Sequence, residues 1–508
     1  MERYREDTLR MGCLQIPVCD KSITGELSGD FTLPDYQPEI KRLLKISASV
    51  LPASTYFGNS SASFEGSVDY YVTYMGGDNE IYCAPISTEY RLEAPLDNEL
   101  DAEELSGYAS ISPDMISGRV ISPRKLNVRC RLRGRARVFG ELTVEDGFGD
   151  CAEVGTEMLR GCAELGRVLV TSGEVLHLTD EMINDRADGE VRVISADGKA
   201  LISEVACADG YISCRGELYL KLLLRAENRG APYIAWRKLP FSQNLYCEGI
   251  TQGSSAYVKG TVCEMSINAE DGRVSIDVGL ILEGIITKLE AVEFIKDAYA
   301  TDRTLICHTK DVGATEANGC IMANFTQSDS QSLEEAGISP SSTLVDICGS
   351  ASIDEYGYDG GRIRFIGKAK YSVICEKDGE YSVNDVELPF KYEVEGNADD
   401  ALAFAEAVNL RARIDGERIG IDAEISLCGH WWRNSRQRIL DSISFGDEYE
   451  ERGGDCIICY PSSDDSLWSV AKRYGAPLDD IRDINQLSSE HAADDKASLE
   501  GARYIVIK

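Results

Sequence analysis

The sequence predicts a mainly β protein: three related β-rich modules in tandem, sandwich-like or barrel-like, followed by a small α+β domain in the order strand, helix, helix, strand. Three observations carry this expectation. Apolar residues alternate in phase in three separate segments, each segment repeats the same order of landmarks, and only beyond residue 455 does the period change to that of a helix. A length of 508 residues fits three to four domains, each with its own core.

The repeat is read from its landmarks. Ile46-Ser47 precedes Gly66 by 20 residues, Ile194-Ser195 precedes Gly216 by 22, and Ile347-Cys348 precedes Gly367 by 20. After each glycine every second residue is apolar: Val68, Tyr70, Val72, Tyr74; Leu218, Leu220, Leu222, Leu224; Ala369, Tyr371, Val373, Cys375. Side chains on a strand point alternately to opposite faces, so a period of two marks a strand with one face held on a core. A proline and an apolar residue follow, Pro85-Ile86, Pro240-Phe241 and Pro389-Phe390. Proline lacks an amide donor and suits a strand start or a sheet edge. Each copy closes with a second alternating strand (Leu126, Val128, Cys130, Leu132; Val274, Ile276, Val278, Leu280; Ile419, Ile421, Ala423, Ile425). The turn pairs Ser122-Pro123, Asp271-Gly272 and Asp415-Gly416 precede these strands, so each is expected to form the second arm of a hairpin. The modules are placed at 13–150, 165–300 and 301–446.

An acidic, glycine-bearing stretch after Phe445-Gly446 has the composition of a linker, and the last domain is placed at 455–508. Asp464-Asp465-Ser466 supplies helix-capping side chains, followed by Leu467, Val470, Ala471 and Tyr474 at helical spacing and by Gly475. Pro477 introduces a second helix with Leu478, Ile481 and Ile484 on one face, ending at Asn485. The runs Ile457–Tyr460 and Tyr504–Ile507 are expected to pair beneath the helices.

Charge and composition narrow the function. A formal net charge of −34 with no block of Lys and Arg argues against nucleic acid and anionic lipid as partners. The N-terminal residues lack the apolar stretch of a secretion signal, and no apolar run of about 18 residues occurs, which predicts a cytoplasmic protein without membrane insertion. The 17 cysteines are scattered and odd in number, so most are expected to be small buried hydrophobes. His177, His308, His430 and His491 are far apart, and no nucleophile stands at a recognised spacing from any of them. Cys456-x-x-Cys459 reads as two strand residues, and Asp464-Asp465 as capping groups rather than an acid–base pair. No catalytic residue, metal site or cofactor is predicted, and the protein is expected not to be an enzyme.

Two resemblances add to this reading. Leu33-Pro34-Asp35-Tyr36-Gln37-Pro38-Glu39-Ile40, running into Leu43-Leu44-Lys45-Ile46, resembles the opening motif of the SPOCS domain of spore-coat proteins. The motif is reduced to Leu178-Thr179-Asp180 in the second copy and is faint near Leu333-Glu334 in the third. Asp465-Ser466-Leu467, Ala471, Tyr474-Gly475, Ile481, Asn485 and Gly501 resemble a LysM domain, with Asp464 in place of the usual glycine. Together they resemble the SipL-like, SpoIVA-interacting family. That resemblance implies a mother-cell scaffold at the forespore surface and spore coat, docking on a SpoIVA-type coat-basement ATPase and recruiting other coat proteins. LysM domains bind N-acetylglucosamine polymers between the loop before the first helix and the loop after the second. By that likeness the binding residues, for partner or glycan, are Asp464, Asp465, Ser466, Asn485 and Gln486. Trp468 reads either as packing or as an exposed anchor for a partner.

Overall fold

The computed structural model describes residues 10–11, 13–97, 103–143, 155–183, 190–226, 231–270, 272–449, 456–462, 465–487, 499 and 503–508. Before the last domain every regular element among the described residues is a strand. The elements are β1 (Arg10–Met11), β2 (Cys13–Thr32), β3 (Ile40–Val50), β4 (Ser54–Phe57), β5 (Ser61–Gly76), β6 (Ile81–Pro95), β7 (Glu103–Ser122) and β8 (Lys125–Thr143). Next come β9 (Thr156–Ser172), β10 (Leu176–Ile183), β11 (Val191–Ala208), β12 (Tyr211–Ala226), β13 (Tyr233–Tyr246), β14 (Ser255–Glu270) and β15 (Arg273–Ala300). The third group is β16 (Arg303–Ser332), β17 (Thr343–Asp359), β18 (Arg362–Lys377), β19 (Glu380–Glu395), β20 (Asp400–Asp415) and β21 (Arg418–Glu448).

Pairing repeats three times. An opening strand lies beside the last strand of its module, which also forms a hairpin with the strand before it, in the orders β2-β8-β7, β10-β15-β14 and β16-β21-β20. The strands between form a meander: β3-β5-β6 with the short β4 also on β5, then β11-β12-β13 and β17-β18-β19. The two sheets of each module enclose one core, which makes each a sandwich. Both alternating sets predicted from the sequence lie buried in these cores, on β5, β12 and β18 and on β8, β15 and β21. In the second module the opening strand is broken: β10 pairs with the first half of β15 and β9 with its second half, while β1 adds in parallel to the same stretch of β15. The sheets thus group residues 13–143, 156–300 and 303–448, and position 165 falls inside β9.

Register corrects two landmarks. Gly66, Gly216 and Gly367 lie opposite Tyr90, Phe241 and Phe390. The counterpart of Pro240-Phe241 in the first module is therefore Glu89-Tyr90, and Pro85 sits four positions early, opposite Tyr71. A β-carbon on Gly216 would stand 2.6 Å from Cζ of Phe241, so the aromatic ring occupies the space the glycine leaves open. Ile46 and Ile347 face Val72 and Val373, six residues past their glycines, but the residue facing Leu222 is Ala196, because β11 carries an irregularity between Val193 and Ser195.

The motif Leu33–Ile40 is the turn from β2 to β3. Arg124 donates to the carbonyls of Pro34 (2.7 Å) and Gln37 (3.2 Å), and the Tyr74 hydroxyl donates to Oε1 of Gln37 (2.9 Å). The Leu33 amide bonds the Arg124 carbonyl, and the Leu333 amide bonds that of Glu417 in the same register, so Leu333 is the third copy's equivalent. In the second copy Leu178-Thr179-Asp180 lies within β10. Ile183 opposite Arg273 matches Thr32 opposite Lys125, so the equivalent of Leu33 is position 184, outside the described residues.

The modules interlock through buried polar groups. The Gln15 side chain donates to the Val168 carbonyl (3.0 Å) and accepts from its amide (2.7 Å), as a neighbouring strand would. Lys221 donates to Asp346 (2.7 Å) and to the Ile347 carbonyl (2.6 Å), with both side chains under 6% exposed. At one junction the three copies contribute the same register position. Tyr108 opposes Arg137, Tyr257 opposes Ile285 and Leu402 opposes His430, and Tyr108, Tyr257, Ile285 and Leu402 share one apolar cluster with Phe139 and Trp432.

No disulfide forms among the described cysteines. Five of them are buried and two are exposed, so the rest are half-buried rather than the buried hydrophobes expected. Burial pushes the thiols of Cys83, Cys214 and Cys428 up to about 12, which keeps them protonated and unreactive. No helix among the described residues is long and apolar enough to cross a membrane.

Candidate functional site

The C-terminal domain is built from β22 (Ile457–Cys459), α1 (Leu467–Tyr474), α2 (Leu478–Asn485) and β23 (Ile505–Ile507). The strands pair antiparallel, with Cys459 opposite Ile505. Their inward residues Cys459, Ile505 and Ile507 form one core with Leu467, Val470 and Ala471 of α1 and Leu478 and Ile481 of α2. Ile484, expected on that same face, is instead 42% exposed, since it lies about 120° around the short helix from Leu478.

Ser466 caps α1 in a reciprocal box: its hydroxyl accepts from the Ser469 amide (3.1 Å), and the Ser469 hydroxyl accepts from the Ser466 amide (2.9 Å). Gly475 ends the helix at φ 62°, a conformation that costs glycine little.

The predicted binding residues separate into distinct roles. Asp464 lies outside the described residues, as does the loop from 488 to 498. Asp465 is buried, accepts from the Ser462 amide (2.9 Å) and pairs with the Arg473 guanidinium. The hydrogen bonds from Arg473 and then from Ser462 hold its carboxyl down at about 2. Asn485 spans helix and strand, donating to the Ile481 and Val506 carbonyls (2.7 Å each) and accepting from the Val506 amide (2.8 Å). Gln486 is exposed at φ 55°, where it caps α2. Asp465 and Ser466 thus meet at the start of α1, Asn485 and Gln486 at the end of α2, and of these only Gln486 offers an uncommitted side chain.

Trp468 faces the body of the protein. It is 6% exposed, its indole N–H donates to Asp297 (3.0 Å), and its ring meets that of Tyr299 edge-on at 5.0 Å. Lys472 pairs with the same Asp297 (2.5 Å), and the Tyr299 hydroxyl donates to the Ala476 carbonyl (2.8 Å). Asp297 sits where β15 slips by one residue against β9, and such a bulge re-aims a side chain. Asp297 and Tyr299 were not legible as contact residues, because in the sequence they are ordinary members of a long strand. On the outer side of the small sheet Ile458, Tyr460 and Tyr504 stand exposed, the two tyrosines next to each other across the strand ends.

The strand, helix, helix, strand order, the cap at Ser466 and the left-handed Gly475 all fall in one short segment. Residues 462–492 match the LysM domain family. The match ends there, so it bears on the LysM domain and not on the three sandwiches. No curated protein and no solved structure matches the chain. Cys456 is exposed while Cys459 is buried in the LysM core. Among the described residues no group of three or more His, Cys, Asp or Glu could hold a metal ion.

Proposed function

We propose that this protein is a non-enzymatic binding scaffold whose LysM domain holds an N-acetylglucosamine polymer such as peptidoglycan, and whose three sandwiches form the body that carries it. The observation behind this reading is the match at 462–492 on a complete βααβ unit. Its mounting agrees: the Trp468 face is consumed by Asp297 and Tyr299, which leaves the end of α2, with Gln486, facing solvent. Titration of the full chain with N-acetylglucosamine oligomers is expected to give saturable heat, and absence of binding at millimolar oligomer would refute the glycan reading.

A second reading keeps the same architecture and changes the ligand. The Leu33–Ile40 turn, with its SPOCS likeness, and the threefold repetition of the module favour a spore-coat adaptor at the forespore surface. In it the LysM domain docks on a SpoIVA-type ATPase and the sandwiches recruit coat proteins. Affinity purification of the full chain from sporulating cells tests this. Recovery of that ATPase, lost on deletion of residues 455–508, supports the adaptor, and recovery undiminished by the deletion removes LysM from the contact.

A further inference from the structure

Beyond the LysM domain, one cleft stands out because it holds charges that the fold leaves unpaired. It lies where the three sandwiches meet, has a volume of about 60 Å³, and is lined by Tyr90, Ser110, Tyr257, Lys259, Glu283 and Phe404 together with the connection from β3 to β4. Ser110, Lys259 and Phe404 hold the same register position in the three modules, opposite Arg135, Glu283 and Cys428.

The copies treat this position differently. In the first module the charge of Arg135 is satisfied by Asp20 and Asp400, each at 2.5 Å. In the third the pair is Phe404 and Cys428, uncharged. Only the second places an ammonium and a carboxylate opposite each other, and neither Lys259 nor Glu283 has a hydrogen bond or an ion pair among the described residues. Lys259 instead lies over the Phe404 ring at 5.5 Å. Burial pushes the Glu283 carboxyl up against the pull of Lys259. Half-buried opposite charges that do not meet carry a desolvation cost without its compensation, and a molecule bridging them would supply it.

We propose that this cleft binds a small zwitterion, an α-amino acid of the size of glycine or alanine, with its carboxylate on Lys259 and its ammonium on Glu283. The size follows from the volume, about that of four or five water-sized spheres, which a larger side chain would overfill. The Tyr90, Tyr257 and Phe404 rings favour an ammonium group and a short apolar side chain over a bare anion. The Lys259–Glu283 pair requires both charges on one molecule.

The test uses the full chain, with calorimetric titration and thermal unfolding in the presence of glycine and of L- and D-alanine, against acetate and methylammonium as single-charge controls. Expected are saturable binding and a raised Tm with at least one amino acid, and affinity lower by about tenfold or more in both Glu283→Gln and Lys259→Met. Either control binding as tightly as the amino acids, no binding by any of them, or unchanged affinity in both variants would overturn the proposal. Should a variant fail to fold, the comparison of amino acid with acetate and methylammonium on the unaltered protein still decides.

Discussion

Lowering the pH should weaken the junction of the three modules through His430. This residue is 1% exposed, with its Nε2 2.7 Å from Nη1 of Arg137 and 3.0 Å from the Tyr108 hydroxyl, and its ring stacks with those of Tyr257 and Trp432. Arg137 can only donate, so Nε2 is the acceptor of a neutral imidazole. Burial first, then the charges of Arg137 and Arg135, push its pKa well below the usual histidine value. The carboxylates nearby, Asp20 and Asp400, are taken by the two arginines. An unfolded chain protonates this histidine below about pH 6.5 while the folded one does not. The unfolded state therefore binds more protons, and stability falls as pH drops from about 6.5 towards the depressed folded value. The slope approaches about 1.4 kcal/mol per pH unit only below about pH 6.5, so a change from about pH 7 to about pH 5.5 removes about 1.4 kcal/mol. Glu157 and Glu283, whose carboxyl pKa values are raised by burial, contribute with the opposite sign, which makes the difference between variants the quantity to measure. In His430→Gln the amide oxygen can accept from Arg137 without titrating. Guanidinium unfolding at both pH values should show the unaltered protein losing about 1.4 kcal/mol more than His430→Gln. Equal losses in the two proteins would refute this account.

Further outcomes are expected at other positions. Gly216→Ala would bring its β-carbon to 2.5 Å from the Leu201 carbonyl and 2.6 Å from Phe241, so a backbone atom must move and about 1–3 kcal/mol should be lost. In Gly66→Ala the three nearest atoms all belong to the Tyr90 side chain, the closest at 2.8 Å, and the substitution should cost less by the same denaturation assay. Lys221→Met strands Asp346 in the interior and should cost about 3–5 kcal/mol, most of it recovered in the double variant with Asp346→Leu; a double variant no better than the single would refute the pairing argument. Trp468→Ala should cost the LysM domain and its mounting about 3–5 kcal/mol and speed amide exchange over 467–485, leaving β12 and β18 protected. Unchanged exchange would show that the indole anchors nothing.

Much of each sandwich was legible because strand alternation is local: Leu218, Leu220, Leu222 and Leu224 declare their buried face without reference to any partner. Landmarks chosen by residue type fared worse than those chosen by phase. Pro85 resembles Pro240 and Pro389, but it is Tyr90 that fills the space over Gly66, and only cross-strand register reveals this. The candidate site divides in the same way. The caps at Ser466 and Gly475 follow from neighbours in sequence, whereas Asp465 and Asn485, residue types that bind sugars elsewhere, are committed to Arg473 and Val506.

The sequence by itself determined that three copies of one β-module precede a short βααβ domain, since periodicity, turn chemistry and helix caps act over a few residues. Only the tertiary structure decided how the copies meet and which way the last domain faces. Arg137 on His430, Lys221 on Asp346 and Trp468 on Asp297 join residues 293, 125 and 171 positions apart. Such contacts depend on the packing of whole sheets, and no local pattern carries the signal of the surface a side chain will meet once they have packed.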